Sequence, residues 1–178
     1  MELIVTKTEL PSVLLFKHNF HEDHRGTYEE LYNKETYSKV IKEAIGKDIE
    51  FLEDNFATST KHVLRGIHGD DRTWKLVTCL KGRFYIVVVD CLEGFPAFGK
   101  WQSFILSGEN KNQLLVPPNY GHAYLVMSDE AIFHYKQSCI YQGMEGQFTY
   151  RYDNPRFDIW WPVKDPIVSR RDFLGRVD

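Results

Sequence analysis

The sequence predicts an all-β barrel, a sandwich or jelly roll, with one good helix and little other helical structure. Three observations point there. Beyond about residue 50 the chain runs as short apolar segments separated by Gly, Pro and Asn corners, the pattern of a strand-rich sandwich or jelly roll. Aromatic residues make up 15% of the chain and many lie in strand-like runs, where they suit a β-rich core or an aromatic-lined pocket. At 178 residues there is room for one domain with a proper core and not for two. No linker, internal repeat or low-complexity tract divides it.

Taken in order, residues 3–5 and 13–16 are short apolar runs that predict edge strands, with Pro11 at the break between them. Residues 18–31, HNFHEDHRGTYEEL, carry a turn at Asp23-His24-Arg25-Gly26 that leads into an extended stretch over 28–32. His18, His21 and His24 have no convincing metal-ligand spacing and predict a solvated polar loop. Residues 33–45 predict a helix: Asn33 can cap it, Tyr37, Val40, Ile41 and Ala44 share one face, and Gly46 stops it. Residues 84–90, FYIVVVD, are apolar on both faces, as in a strand covered on both sides, and Lys81-Gly82 turns into them. Further strands are expected over 101–106, 113–116, 123–127, 131–137 and 147–152, with a Pro117-Pro118-Asn119 corner. The stretch 162–178 is polar and is expected to lie over the barrel.

Hydrophobic residues at 43% and charged residues at 26% are ordinary for a soluble globular protein. A net charge of −3 gives no general affinity for nucleic acid or anionic membranes. No run approaches a membrane span, and the first residues show no apolar export signal. Cys79, Cys91 and Cys139 are odd in number, far apart and set among apolar residues, which fits reduced thiols in a cytoplasmic protein.

The chemistry gathers around residues 63–77, VLRGIHGDDRTWKLV, which hold Arg65, His68 and Lys75 between two apolar segments. A histidine there can take a proton while a neighbouring cation holds the resulting anion. Three other groups join it: His122 past the double-proline corner, Tyr135 in IFHYKQ, and Asp172 in SRRD. An aspartate paired with a neutral histidine makes a good general base near neutral pH. A tyrosine can return a proton to a carbanion, and a lysine can hold an oxyanion. Taken singly, each is more often a core or surface residue.

The set occurs in a collinear series of motifs: DHRGTYEE, FLEDNFATSTKHVLRGIH, KLVTCLKGRFYIVVVD, FGKW, LSGENKNQLLVPPNYGHAY, FHYK, DIWWP and PIVSRRD. From residue 1 to about 172 the chain thereby resembles the dTDP-4-dehydrorhamnose 3,5-epimerases, cupin-fold enzymes acting on nucleotide-linked 4-keto-6-deoxy sugars. The resemblance implies a single cupin-type jelly-roll domain that uses no metal or other cofactor. It implies a nucleoside-diphosphate sugar as substrate and a homodimer that exchanges N-terminal strands within residues 1–32. His68 with Asp172 would be the base, Tyr135 the acid, and Lys75 the group beside the C4 oxygen. His122 would line the sugar pocket, and Arg25 and Arg65 would bind the diphosphate. Tyr28, Glu30, Glu53 and Asn55 would complete the substrate contacts.

The chain departs from the family pattern in three places. The segment after His68, GDDRTWK, is shorter and more acidic than usual, Glu53 replaces a glutamine, and Thr27 replaces an aromatic. The short path from RGIHGD to TWKL looks more like the subgroup acting on GDP-linked 4-keto-heptoses for capsules. Three rivals stand beside an epimerase. A 3,4-ketoisomerase shares the fold, but the full His68, Asp172, Tyr135 and Lys75 set favours epimerisation. A metal-dependent cupin using His62, His68 and His122 would need the paired-histidine and glutamate signal, which is absent around His68. A non-catalytic sugar-nucleotide binding module would have lost its acid or base, and both are kept.

Overall fold

A computed structural model of the chain describes residues 3–177; residues 1, 2 and 178 of the expected terminal segments lie outside it. The first elements are β1 (Leu3–Lys7), β2 (Leu14–His18), β3 (His21–Asp23), β4 (Gly26–Tyr28) and the helix α1 (Lys34–Ile45). There follow β5 (Glu53–Thr60), β6 (Leu64–Gly69), β7 (Lys75–Lys81), β8 (Arg83–Asp90), β9 (Trp101–Ser107) and β10 (Asn112–Val116). The last are β11 (Tyr120–Val126), β12 (Glu130–Gln137), β13 (Phe148–Thr149) and the short helix α2 (Arg170–Phe173). Six strands form one sheet in the order β1-β2-β10-β7-β12-β5, and five form the other in the order β13-β6-β11-β8-β9. Together they make a jelly-roll barrel, while β3 and β4 form a separate two-stranded hairpin.

The alternation of side chains along each strand assigns one face to the barrel interior. Phe84 on β8, Tyr124 on β11 and Phe133 on β12 meet there, with Tyr124 and Phe133 stacked at 4.2 Å. The other face of β8 is also buried: Tyr85, Val87 and Val89 are covered by Tyr150, Phe157 and Trp161 from the C-terminal third. A strand apolar on both faces is therefore covered on both faces, as the sequence predicts.

Helix α1 forms where its pattern places it. Asn33 Oδ1 accepts from the Thr36 N–H at 3.2 Å, and Gly46 closes the helix in the left-handed region at φ 68°. Tyr37 and Ile41 are buried against Phe16, Leu76 and Leu115 on the outer face of the six-stranded sheet.

Four expectations are corrected. Residues 13–16 lead into β2, which is an interior strand paired on both sides, by β1 and β10. His18 is not in a solvated loop: it is 5% exposed and bonded to Glu29, since it ends β2 on the sheet's buried side. The extended stretch expected over 28–32 ends at Tyr28, where hairpin pairing stops. The strand expected over 147–152 shortens to Phe148–Thr149, because the regular geometry of its partner β6 breaks at Gly66, φ 118°. The segment 162–177 runs along the open edge of β6, where Ile167 accepts from the Leu64 N–H and donates to the His62 carbonyl.

Candidate active site

Between the two sheets lies a cleft of about 420 Å³ that gathers residues from six elements and the loops beside them. Side-chain alternation explains most of its lining. His122 and Tyr124 lie two apart on β11, Phe133 and Tyr135 two apart on β12, and each pair faces inward. Arg65 and His68 on β6 are three apart and would face opposite ways in a regular strand. A bulge against β11 brings both inward: His122 pairs with His68, but Tyr124 pairs with Arg65. Gly66 forms that bulge, and a Cβ there would meet the His122 carbonyl oxygen at 2.4 Å. The RGIH motif is thus a device for turning two side chains into one cleft.

His68 Nε2 lies 2.5 Å from Asp172 Oδ1, a contact spanning 104 residues of sequence. Asp172 sits on α2, where the Ser169 hydroxyl accepts from the Asp172 N–H at 3.1 Å. The carboxylate is 3% exposed. Burial pushes its pKa up, but the hydrogen bond and charge of His68, with Ser169 and the Gly66 N–H, hold it below the usual carboxylate range. With Nε2 bonded to Asp172, the lone pair of the neutral ring falls on Nδ1.

Across the cleft, on the other sheet, Lys75 is buried at the start of β7 with its Nζ 5.8 Å from the Tyr135 ring centroid. Burial pushes the Lys75 ammonium down to about 8, against the pull of Asp70 and with the push of Arg171. His122 is buried and stacked on Phe133. Burial, with the charges of Lys75 and His68, takes it well below its ordinary pKa and keeps it neutral. Burial raises the Tyr135 phenol, so it remains a proton donor at neutral pH. Arg65 Nε donates to Ser59 Oγ at 3.0 Å, and that hydroxyl lies 3.3 Å from the Tyr124 hydroxyl. With Lys75, Arg65 and Arg171 against the single carboxylate of Asp172, the cleft is built for an anion.

The sequence profile of the dTDP-4-dehydrorhamnose 3,5-epimerases matches residues 7–176. The chain belongs to that family. The family's members are isomerase-class enzymes, and this epimerase has both the sequence and the fold of its relatives. A Shigella flexneri dTDP-4-dehydrorhamnose 3,5-epimerase is 40% identical over 175 residues, covering 97% of this chain and 94% of the relative. A Streptomyces niveus dTDP-4-dehydrorhamnose 3-epimerase is 31% identical over 153 residues, or 84% and 72% of the two chains. The crystal structure of a Legionella pneumophila dTDP-6-deoxy-D-glucose 3,5-epimerase in complex with dTDP-4-keto-L-rhamnose superposes with a TM-score of 0.89 at 32% identity. That alignment covers 98% of this chain and 92% of the other. The barrel of this epimerase is accordingly of the cupin type.

Of the residues singled out in the sequence, His68, Asp172, Tyr135, Lys75, His122 and Arg65 line the one cleft. Glu53 and Asn55 sit beside it on the edge strand β5. Asn55 Nδ2 donates to Glu53 Oε1 at 2.6 Å, and the Tyr141 N–H donates to the same carboxylate at 2.8 Å. Arg25 and Tyr28 lie elsewhere, lining a separate hollow of the β3–β4 hairpin, and Glu30 follows that hairpin. His62 sits at the turn into β6, outside the cleft lining. Among the described residues no three His, Cys, Asp or Glu side chains gather as metal ligands.

Sequence reasoning missed Tyr124, Arg171, Ser169, Tyr141 and Met144, all of which line the cleft. Tyr124 was findable two residues after His122 on one strand face. Ser169, three residues before Asp172, is a capping pattern that announces α2. Tyr141 comes from an irregular loop and Met144 from the 3-10 turn, Met144–Gly146, that follows it, and neither stretch carries a periodic signal.

Proposed function

We propose that this epimerase inverts C3 and C5 of a dTDP-linked 4-keto-6-deoxyhexose. His68, backed by Asp172, removes the proton from the carbon next to the C4 ketone. The electron pair moves into an enolate whose oxygen faces the Lys75 ammonium. Tyr135 then gives its phenolic proton to the opposite face of that carbon, and solvent exchange restores both groups. Because the ketone activates C3 and C5 alike, one acid–base pair serves both centres after the ring turns over. His122, neutral and buried, hydrogen-bonds the sugar, Arg65 binds the diphosphate, and Glu53 and Asn55 hold the substrate at the edge strand.

The observation that carries this reading is the opposition of His68 on one sheet, backed by Asp172 from α2, and Tyr135 on the other, with buried Lys75 beside the tyrosine. Base and acid on facing walls are what stereochemical inversion requires, each assisting by roughly 10²–10⁴-fold. The names of the relatives support dTDP and a deoxyhexose as the substrate's parts.

We also propose a homodimer in which the hairpin carrying Arg25 and Tyr28, with Glu30 just after it, reaches the nucleotide in the partner's cleft. Support comes from the exposure of Tyr28, at 70%, and from the separation of the hairpin's hollow from the cleft within one chain. Light scattering should then give about twice the 21.0 kDa chain mass. Free buried thiols at Cys79 and Cys91 and a nucleotide-sugar substrate support a cytoplasmic setting; among the described residues no helix is long and apolar enough to cross a membrane.

The test is NMR in D₂O with a panel of dTDP-linked hexoses and GDP-linked heptoses. Deuterium at both C3 and C5 with inverted product is the expected result for the dTDP hexose. Exchange at C3 alone would make the enzyme a mono-epimerase, a 3-keto product would make it an isomerase, and turnover of only the GDP heptose would overturn the substrate assignment.

A further inference from the structure

A half-buried polar cluster at the base of the β3–β4 hairpin takes no part in the chemistry above. The chain leaves the six-stranded sheet at His18, the last residue of β2, and β3 and β4 pair only with each other. Every residue from His21 to Tyr28 is exposed. At the far end of this excursion the Glu29 carboxylate comes back to its starting point: Oε2 lies 2.9 Å from His18 Nε2, and Oε1 lies 2.7 Å from Lys111 Nζ. The three side chains are only 4%, 24% and 14% exposed for His18, Glu29 and Lys111.

Lys111 belongs to the barrel. It stands on the turn before β10 in the left-handed region, φ 55°, an unusual setting for a lysine. Its Nζ also lies 5.9 Å from the Phe20 ring centroid at the start of the excursion. One ammonium therefore touches both ends of the hairpin, and one carboxylate clasps them together. Burial acts to raise the Glu29 carboxyl, and Lys111 and His18 together hold it below the usual carboxylate range, ionised at neutral pH. A little further on, the Leu31 carbonyl accepts from Gln113 Nε2 at 3.0 Å, so the exit from the hairpin is fastened to β10 a second time.

We propose that Glu29, gripped by His18 and Lys111, is a positioning residue that sets the hairpin on the barrel and thereby sets nucleotide affinity. This rests on the reading that Tyr28, Arg25 and Glu30 meet the nucleotide. Tyr28 and Glu30 are its immediate neighbours in the chain, so any swing of Glu29 moves them directly. The reacting groups on β6, β7, β12 and α2 belong to other elements and stay where they are.

The full-length chain carrying Glu29→Gln keeps the volume of the clasp and removes its charge; Lys111→Met removes the other partner. If either leaves the hairpin correctly placed a tenth of the time, the apparent dissociation constant for dTDP rises roughly tenfold. The expected result is a rise of that size in KM for the dTDP sugar with kcat within about twofold of the parent. Amide hydrogen exchange should quicken over residues 19–31 and stay unchanged in the barrel strands. An unchanged KM together with unchanged exchange over 19–31 in both variants would overturn the proposal. So would a fall in kcat at constant KM, or faster exchange throughout the barrel, since either marks a general loss of structure. Arg25→Ala separates the two ideas. A raised KM there with an unaffected Glu29→Gln removes only the clasp, whereas an unaffected Arg25→Ala removes the hairpin's nucleotide role and the positioning proposal with it.

Discussion

Asp172→Asn removes one charge and almost nothing else. The amide keeps the volume of the carboxylate and can still hydrogen-bond the imidazole, yet it gives the protonated ring no countercharge. The contact is 2.5 Å between Nε2 and Oδ1, so the two charge centres stand about 4 Å apart, worth roughly 4 kcal/mol at an effective dielectric of about 20. In the proposed mechanism that attraction exists only when His68 carries the substrate proton, so its loss falls on the transition state, by about 10³-fold in rate. The assay is deuterium entry at C3 from D₂O under saturating substrate, with calorimetric binding of dTDP as the control. Exchange should fall by about three decades while dTDP affinity changes by less than about twofold. A loss of under about tenfold would refute the electrostatic role and leave Asp172 as a fastening for α2. An equal fall in binding would refute it differently, by showing that the substitution damages the cleft as a whole.

Four other outcomes follow from the same geometry. Tyr135→Phe should slow product formation by about 10²–10³-fold while leaving measurable solvent exchange at the carbon that the proposed mechanism has His68 deprotonate, which NMR in D₂O separates. Lys75 must be protonated to hold an enolate, and with its pKa at about 8 kcat/KM should fall as pH rises through that value; a flat profile to pH 10 would count against its role. Its folded pKa lies below the unfolded value of 10.5, so the unfolded chain binds more protons across that window. Stability should accordingly gain from Lys75 as pH rises from about 8 to 10.5, and Lys75→Met should remove this gain in denaturant titrations. Asn33→Ala deletes the cap on α1 and should cost about 1 kcal/mol in urea unfolding without altering turnover.

The helix and the barrel strands were legible because their signals are local. Asn33 and Gly46 bracket a clean helical period, and FYIVVVD has the length and composition of a doubly covered strand. The position of β2 inside its sheet was not legible, because its neighbour β10 lies almost 100 residues further along the chain and nothing in residues 13–16 says which strand will sit beside them. The inward residues His122 and Tyr135 follow from strand alternation once β11 and β12 are recognised. Arg65 and His68 do not, since their spacing is wrong for a regular strand and only the Gly66 bulge reconciles it. The His68–Asp172 pair is a long-range contact that the collinear motifs implied and that spacing alone could not supply. The Glu29 clasp was invisible for the same reason: His18, Glu29 and Lys111 are three ordinary polar residues until β2 and β10 lie side by side.

The 104-residue gap between His68 and Asp172 also divides the catalytic pair between two parts of the fold. Every strand of both sheets precedes residue 150, so the walls of the cleft and the cations Arg65 and Lys75 belong to the barrel, while Asp172 belongs to the segment laid over it. That segment is fastened to the chain entering β6 through Ile167, a few residues before the carboxylate. The countercharge behind the imidazole is therefore held by a separate strap, whose seating can fail while the barrel stays whole.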